Sequence, residues 1–523
     1  MTAALRPERG GLGSSPVLVG AVAAFAWLAF SIALRPLTLP EEGRYVGVAW
    51  EMLRSGDWIV PTEDGLPFFH KPPLFYWLCA ASMQVFGVND WAPRLAPLFA
   101  GLLGAAGLYG VGRRWLGEQS ARWTMLVLLT EPFFFAGAQF ANLDMLVAAF
   151  IALAIILAGH AALLMRLGEA HRGALLGAWA AMAFGVLAKG LIGIALPGLV
   201  ILAWLVATGQ HRTILRLLSP TGIAVFALIA APWFIAAQWR YPGFAHFFFV
   251  YQHFERFAAG GFNNPQPWWF FIVVVPLLVL PWSLWLLRST FGGRSGETSE
   301  ARLWRQLMWT WLGVVLVFFS IPQSKPVGYA MPVLFPIAAL AADAIAAGRR
   351  DGPARAAWPV VASAVVAALI CIGAVAYYAI FYDRDNTALA RVLQRSRAPG
   401  DPVVFVGEYF FDIPLHARLA EPVPVISSWQ DPAIALRDNW KRELAEAAPF
   451  APVLAATLLL DADHGLALRC GKAPLWAVAK TDNAALVAAL PGATQVAQGG
   501  NRVSLWRVPP GGCAPADPAS SPR

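Results

Sequence analysis

The chain has 523 residues, 58% of them hydrophobic and only 13% charged, with a positive mean hydropathy, which excludes a soluble multidomain protein. Its net charge of +8 does not indicate nucleic acid, because the basic residues are dispersed between apolar stretches and not gathered on one soluble face. They serve instead as topology markers for a polytopic α-helical membrane protein.

In chain order, residues 1–15 are an N-terminal arm expected on the cytoplasmic side. Apolar windows of about 17–25 residues, the length that crosses a bilayer as a helix, then recur through residues 16–382. The first, Pro16 to Leu34, is long for a signal peptide and has no A-x-A-like site before the charged stretch, so it reads as an uncleaved anchor. Spans are expected at 16–35, 93–112, 123–140, 145–165, 173–188, 191–208, 219–238, 268–287, 306–322, 328–347 and 357–381, within a total of about 11–13. Short basic connections at 113–122, 166–172, 211–216, 288–305 and 349–355 fall on the inside by the positive-inside rule. The segment 37–71, the turns near Asn142 and Lys189, and residues 239–267 and 323–326 then face outward. Residues 72–88 are apolar but marginal in length, and a crossing there breaks the charge alternation, so an interfacial or re-entrant helix is expected.

From residue 383 the composition turns soluble. "PVVFVG", "VLAATLLL" and "RVSLWRV" read as strands between helical stretches at 433–448 and 484–489, predicting a small exported α/β domain over 383–510. Residues 511–523 are a Pro, Ala and Ser tail with nothing to bury. There is no internal repeat. Cys79 and Cys371 fall in membrane segments as small buried hydrophobes. Cys470 and Cys513 fall in the exported part, where an oxidising compartment permits a disulfide.

The outer loop concentrates chemistry. Residues 39–74 carry six acids, two arginines and a lysine among aromatics. Val48, Met52 and Leu53 share one helical face with Glu51 and Arg54 off it, as in a helix lying at the membrane surface; a solvated loop with an aromatic belt would have the same composition. The chain has 33 arginines but 6 lysines. The three in the membrane half, Lys71, Lys189 and Lys325, all lie on the predicted outer edge, where the positive-inside rule depletes them. One such lysine is explained by snorkelling. Three of them beside Arg44 and Arg256 suggest a phosphate or pyrophosphate site, since a cation beside hydrocarbon is costly without an anion. Asp144 opens a span on the same side, as helix cap or as substrate-facing carboxylate. In the outer loop "HFFFVYQHFERF", His253 could share a divalent metal with His70, although two histidines are a weak ligand set.

The blocks "EEGRYVGVAWEMLRSGDWIVP", "GLPFFHKPPLFYWL", "NLDM", "AKG", "APWF", "QHFERF" and "SKPVGYAMPVLFP" resemble, over residues 16–345, the bacterial 4-amino-4-deoxy-L-arabinose lipid A transferases and the related protein O-mannosyltransferases. The resemblance implies a GT-C membrane glycosyltransferase of the bacterial inner membrane with a periplasmic active site. Such an enzyme moves a sugar from a polyprenyl-phosphate donor to lipid A or another envelope acceptor. It implies catalytic acids at Glu41, with Glu42 beside it, and at Asp144. Donor phosphate and sugar contacts are implied at Arg44, Tyr45, Lys71, Arg256, Lys325 and Tyr329, with Lys189 among the rim cations. The chain departs from the pattern in having Glu41 where many relatives carry Asp, and His70 where many carry Glu. A transporter or flippase is the rival reading, but such proteins place polar groups at the bilayer midplane, often in repeated halves, and here the charges gather at one edge. A non-catalytic scaffold is a third.

Overall fold

The computed structural model describes residues 15–255, 265–289, 297–350 and 358–511. Its helical part contains α1 (Ser15–Ala29), α2 (Glu41–Ser55), a two-stranded hairpin β1 (Thr62–Glu63) and β2 (Leu66–Pro67), α3 (Leu74–Phe86), α4 (Leu95–Leu116), α5 (Glu118–Thr130), α6 (Pro132–Ala138), α7 (Leu143–Leu167), α8 (Arg172–Lys189), α9 (Ile192–Ala207), α10 (His211–Leu217) and α11 (Pro220–Arg240). A π-helical stretch follows at His246–Glu255, then α12 (Phe270–Leu278), α13 (Ser283–Leu286), α14 (Ser299–Ser320), α15 (Leu334–Arg350) and α16 (Trp358–Phe381). Six helices among the described residues are long and apolar enough to cross a membrane, so the chain is a multi-pass membrane protein. Each predicted span coincides with one of these helices or with a shorter or broken one.

Burial divides the bundle into centre and periphery. In α7, 83% of the most apolar window is buried, against 17% in α16; α7 is the hub, and α16 turns Val361, Val365 and Leu369 outward, as a lipid-facing helix does. The 13 residues of α3 extend about 20 Å at 1.5 Å per residue, too short to cross. α2 departs from the expected surface helix. Glu51, placed off the apolar face, is buried: its carboxylate accepts from Thr62 Oγ1 at 2.7 Å, Asp64 N at 2.8 Å and Gly65 N at 2.9 Å. The acid closes the β1–β2 turn, whose free backbone donors would otherwise be buried without partners.

The C-terminal part comprises α17 (Thr387–Ser396), β3 (Val403–Val406), α18 (Ile413–His416), β4 (Val425–Ile426), α19 (Trp440–Ala447), α20 (Pro452–Leu458), β5 (Leu459–Leu460), α21 (Ala462–Leu466), β6 (Leu475–Lys480), α22 (Thr481–Ala488), β7 (Thr494–Gln498) and β8 (Val503–Val508). The six-stranded sheet runs β5-β4-β3-β6-β8-β7. Its first four strands are parallel, and β8 pairs antiparallel with both β6 and β7. All four residues of β3 are buried, the unbroken apolar run of a central parallel strand. "VLAATLLL" differs from its predicted strand: residues 452–458 are helical, because Pro452 presets the first helical turn and alanines sustain it, and only Leu459–Leu460 pair in the sheet. Cys79 and Cys371 are free and buried. Cys470 is disulfide-bonded; Cys513 and the predicted tail beyond residue 511 lie outside the described residues.

Candidate functional site

The start of α2 is fixed by Glu42. Its fully buried carboxylate accepts from Arg94 Nε and Nη2, each at 2.9 Å, from Arg35 Nη1 at 2.5 Å and from the Ala141 backbone N at 2.8 Å. Burial pushes this carboxyl up, but Arg94 and Arg35 outweigh burial and hold it well below the usual carboxylate range. Glu42 therefore holds the end of α1, α2 and the turn into α7 together, and does not line the cavity described next. Its carboxylate is saturated by these donors.

Glu41, one helical step away, points to a cavity of about 390 Å³. Arg44, Tyr45, His70 and Lys71 share its wall with Asp144, Lys189 and Tyr329. Asn142 caps α7 by accepting from Asp144 N at 3.0 Å, so Asp144 is not the cap, and its carboxylate turns toward α8 to receive a hydrogen bond from Lys189 Nζ. Lys189 Nζ also sits 4.5 Å above the Tyr329 ring, a cation–π contact that fixes it in place. Gly328 is packed against the same carboxylate: a Cβ there would lie 1.9 Å from Asp144 Oδ2.

Arg44 spans the cavity. Nη2 donates to Glu41 Oε2 at 2.9 Å and Nη1 donates to Glu443 Oε1 at 2.7 Å, while the guanidinium lies 4.8 Å from the Tyr45 ring. The Tyr45 hydroxyl accepts from Arg44 Nη2 at 3.3 Å, and burial raises it well above the ordinary tyrosine value. Glu443 and Asp438, both on the cavity wall, come from the C-terminal domain, about 400 residues along the chain. Glu446, on the same α19 helix as Glu443, accepts from Tyr251 OH at 2.7 Å and Arg442 Nε at 2.5 Å and lies 2.8 Å from His70 Nε2. Both oxygens of buried Glu63, which lies within electrostatic reach of Arg44, have no hydrogen-bond partner. Burial and the neighbouring Glu443 push its carboxyl well up. Only a helical register and a tertiary partner identify these acids; their local sequence carries no signal.

Several predicted residues lie elsewhere. Lys325 is buried and donates to the carbonyls of Gln266, at 3.1 Å, and Pro322, pinning residues 265–267 to the 322–326 turn, while its neighbours Ser324 and Pro326 line the cavity. Arg256 and the His253 side chain lie outside what the structure describes. His70 is engaged by Glu446, and among the described residues, which do not include the His253 side chain, no group of three or more His, Cys, Asp or Glu is placed to hold a metal. A separate cavity of about 220 Å³ among Trp179, Met182 and Ile201 is wholly apolar in its lining and offers no chemistry.

A family model described as dolichyl-phosphate-mannose-protein mannosyltransferase matches residues 70–235. The undecaprenyl phosphate-alpha-4-amino-4-deoxy-L-arabinose arabinosyl transferase 1 of Pseudomonas fluorescens (strain Pf0-1) is 31% identical over 310 residues, 58% of this chain and 53% of that protein. The transferase of the same description from Aeromonas salmonicida (strain A449) is 30% identical over 372 residues, 68% of this chain and 66% of its own length. The chain thus spans about half to two thirds of these curated relatives. The crystal structure of ArnT from Cupriavidus metallidurans bound to undecaprenyl phosphate superposes with a TM-score of 0.76 at 26% identity, covering 95% of this chain and 98% of that one.

Proposed function

We propose that this chain, which belongs to the ArnT-like GT-C glycosyltransferases, transfers a sugar of the 4-amino-4-deoxy-L-arabinose class from undecaprenyl phosphate to lipid A or another glycolipid of the bacterial envelope. The reaction belongs at the periplasmic face of the inner membrane. One observation carries this reading: Glu41, Arg44, Lys71 and Asp144, far apart in sequence, line a single cavity at the end of the bundle that holds α2.

The chemistry follows from charge. Breaking the bond between the anomeric carbon and the carrier phosphate leaves negative charge on the phosphate, and the lining cations Lys71 and Arg44 are the groups to receive it; fixed cations aimed at developing charge stabilise it strongly. Positive charge grows on the sugar ring, opposite which Asp144, oriented by Lys189 and Asn142, supplies a carboxylate. Glu41, whose side chain is 50% exposed, is placed to take a proton from an acceptor hydroxyl, a role worth about 10²–10⁴-fold in rate. A phosphate acceptor is already ionised and needs only positioning. Glu42 and Lys325 shape the site without touching substrate.

Mass spectrometry of lipid A and of envelope glycans, with and without this chain, tests the proposal. Loss of an amino-pentose from lipid A in its absence supports it, loss of protein-linked sugar favours the mannosyltransferase alternative, and an unchanged profile rejects both.

A further inference from the structure

The sheet of the C-terminal domain changes direction once. From β3 the chain proceeds to β4 and β5 on one side, then returns to β6 on the other side of β3. In open parallel sheets, ligands bind beyond the carboxyl ends of the strands at such a switch point, where the two loops diverge and leave a crevice. Here the strands end at Val406 and Lys480. Gly407 continues from β3 at φ +79°, and a Cβ on it would lie 2.0 Å from the Asn483 side chain, so the loop turns off the sheet directly. Beyond it lies a polar cavity of about 410 Å³ lined by Glu408, Tyr409, Trp440 and Lys480. Its opposite wall includes Glu41, Arg44 and Asp438, which also line the first cavity. Two sites therefore meet at Glu41.

We infer that this crevice holds the sugar headgroup of the acceptor glycolipid and presents its nucleophile to Glu41, an assignment that rests on the transferase reading above. The lining charges are mixed in sign: Lys480 Nζ lies 3.3 Å from Glu408 Oε2, Arg44 is shared by Glu41 and Glu443, and Arg384, Asp412 and Asp438 complete the charged lining. A lining in which acids outnumber cations offers no strong positive field to a bare anion, but it presents donors and acceptors to an array of hydroxyls. The partly exposed Trp440 ring, with buried Tyr409 also in the lining, suits the C–H face of a pyranose, an apolar surface between polar edges. A peptide acceptor would add most readily to an open sheet edge, yet the edge strands are β5 and β7, each separated from the crevice by another strand.

The test uses the full chain in nanodiscs and a water-soluble glucosamine disaccharide, with binding followed by saturation-transfer NMR. Wild type, Trp440→Ala, Lys480→Met and Lys71→Ala are compared, Lys480→Met covering the case in which loss of Trp440 unfolds the domain. The expected result is at least tenfold weaker binding in the two crevice variants and a change within twofold for Lys71→Ala. In the transfer reaction Lys480→Met raises the acceptor KM about tenfold and leaves the donor KM within twofold. Equal binding by all four proteins, loss confined to Lys71→Ala, no binding by wild type, or binding of a Ser-rich peptide in place of the disaccharide would each overturn the assignment. Binding needs no turnover, so failure of the crevice is separable from failure of the transferase reading, which the glycan profile decides.

Discussion

Arg44 Nη1 lies 2.7 Å from Glu443 Oε1, joining α2 to the C-terminal domain across the candidate site. Both side chains are largely buried; stripping a buried charge of its partner costs about 3–5 kcal/mol, and because Arg44 keeps Glu41, loss of Glu443 is expected to cost less than that. Glu443→Ala is expected to lower the thermal unfolding midpoint in detergent clearly, and Glu443→Gln, which keeps an acceptor for Arg44, to lower it less. Equal midpoints for both variants and wild type contradict a buried coupling here.

Glu41 and Glu42 are expected to separate by assay. Glu42→Ala removes the acceptor of Arg94, Arg35 and the Ala141 amide together, and is predicted to lose about 3–5 kcal/mol of stability and to be recovered in low yield. Glu41→Ala is predicted to fold normally and to lose transfer to a hydroxyl acceptor by about 10²-fold or more. The pair of measurements, detergent-resistant yield and specific activity, should rank the two variants in opposite order.

Gly328→Ala places a methyl group on the Asp144 carboxylate. Displacing a reacting group by about 1 Å costs roughly 10²-fold in rate, so this variant is predicted to retain its fold and lose about that much activity. Wild-type turnover in a well-folded Gly328→Ala protein would show that the position of Asp144 is not critical.

Burial would raise the Glu446 carboxyl, but His70, Arg442 and Tyr251 outweigh it and hold it at about 2, against an ordinary 4.5. The folded state therefore binds fewer protons than the unfolded chain between those values. The stabilisation is complete above about pH 4.5 and disappears as pH falls toward 2, and at about 1.4 kcal/mol per pKa unit it amounts to at most roughly 3 kcal/mol. Denaturation of wild type between pH 6 and pH 3 should show a steeper loss of stability than Glu446→Gln; parallel curves count against the pairing.

The helical part was legible because a backbone in lipid must satisfy its own hydrogen bonds, so each span appears as a long apolar window. The rim residues were legible because a lysine beside hydrocarbon is conspicuous: Lys71 and Lys189 do line the cavity. Lys325 carries the same signal but spends its ammonium on two carbonyls, which no composition reveals. Glu41 and Glu42 are chemically identical neighbours, and only the helical turn between them and the partner Arg94 separates cavity from core. The acids at and just before α19 were invisible for a different reason: Asp438, Glu443 and Glu446 acquire meaning only when a domain some 400 residues distant folds over α2 and the π-helical stretch. The strand predicted over 453–460 failed over most of its length because an apolar run without alternation does not distinguish a buried strand from a buried helix.

The central claim is that the carrier phosphate docks among the cations of this rim, beside Glu41 and Asp144. Its most direct test is the affinity of undecaprenyl phosphate for the full chain in nanodiscs, measured by native mass spectrometry for wild type, Lys71→Ala and, as a control at the distant apolar cavity, Ile201→Ala. At least tenfold weaker binding for Lys71→Ala, with Ile201→Ala close to wild type, is the predicted result; undiminished binding to a folded Lys71→Ala protein would contradict it.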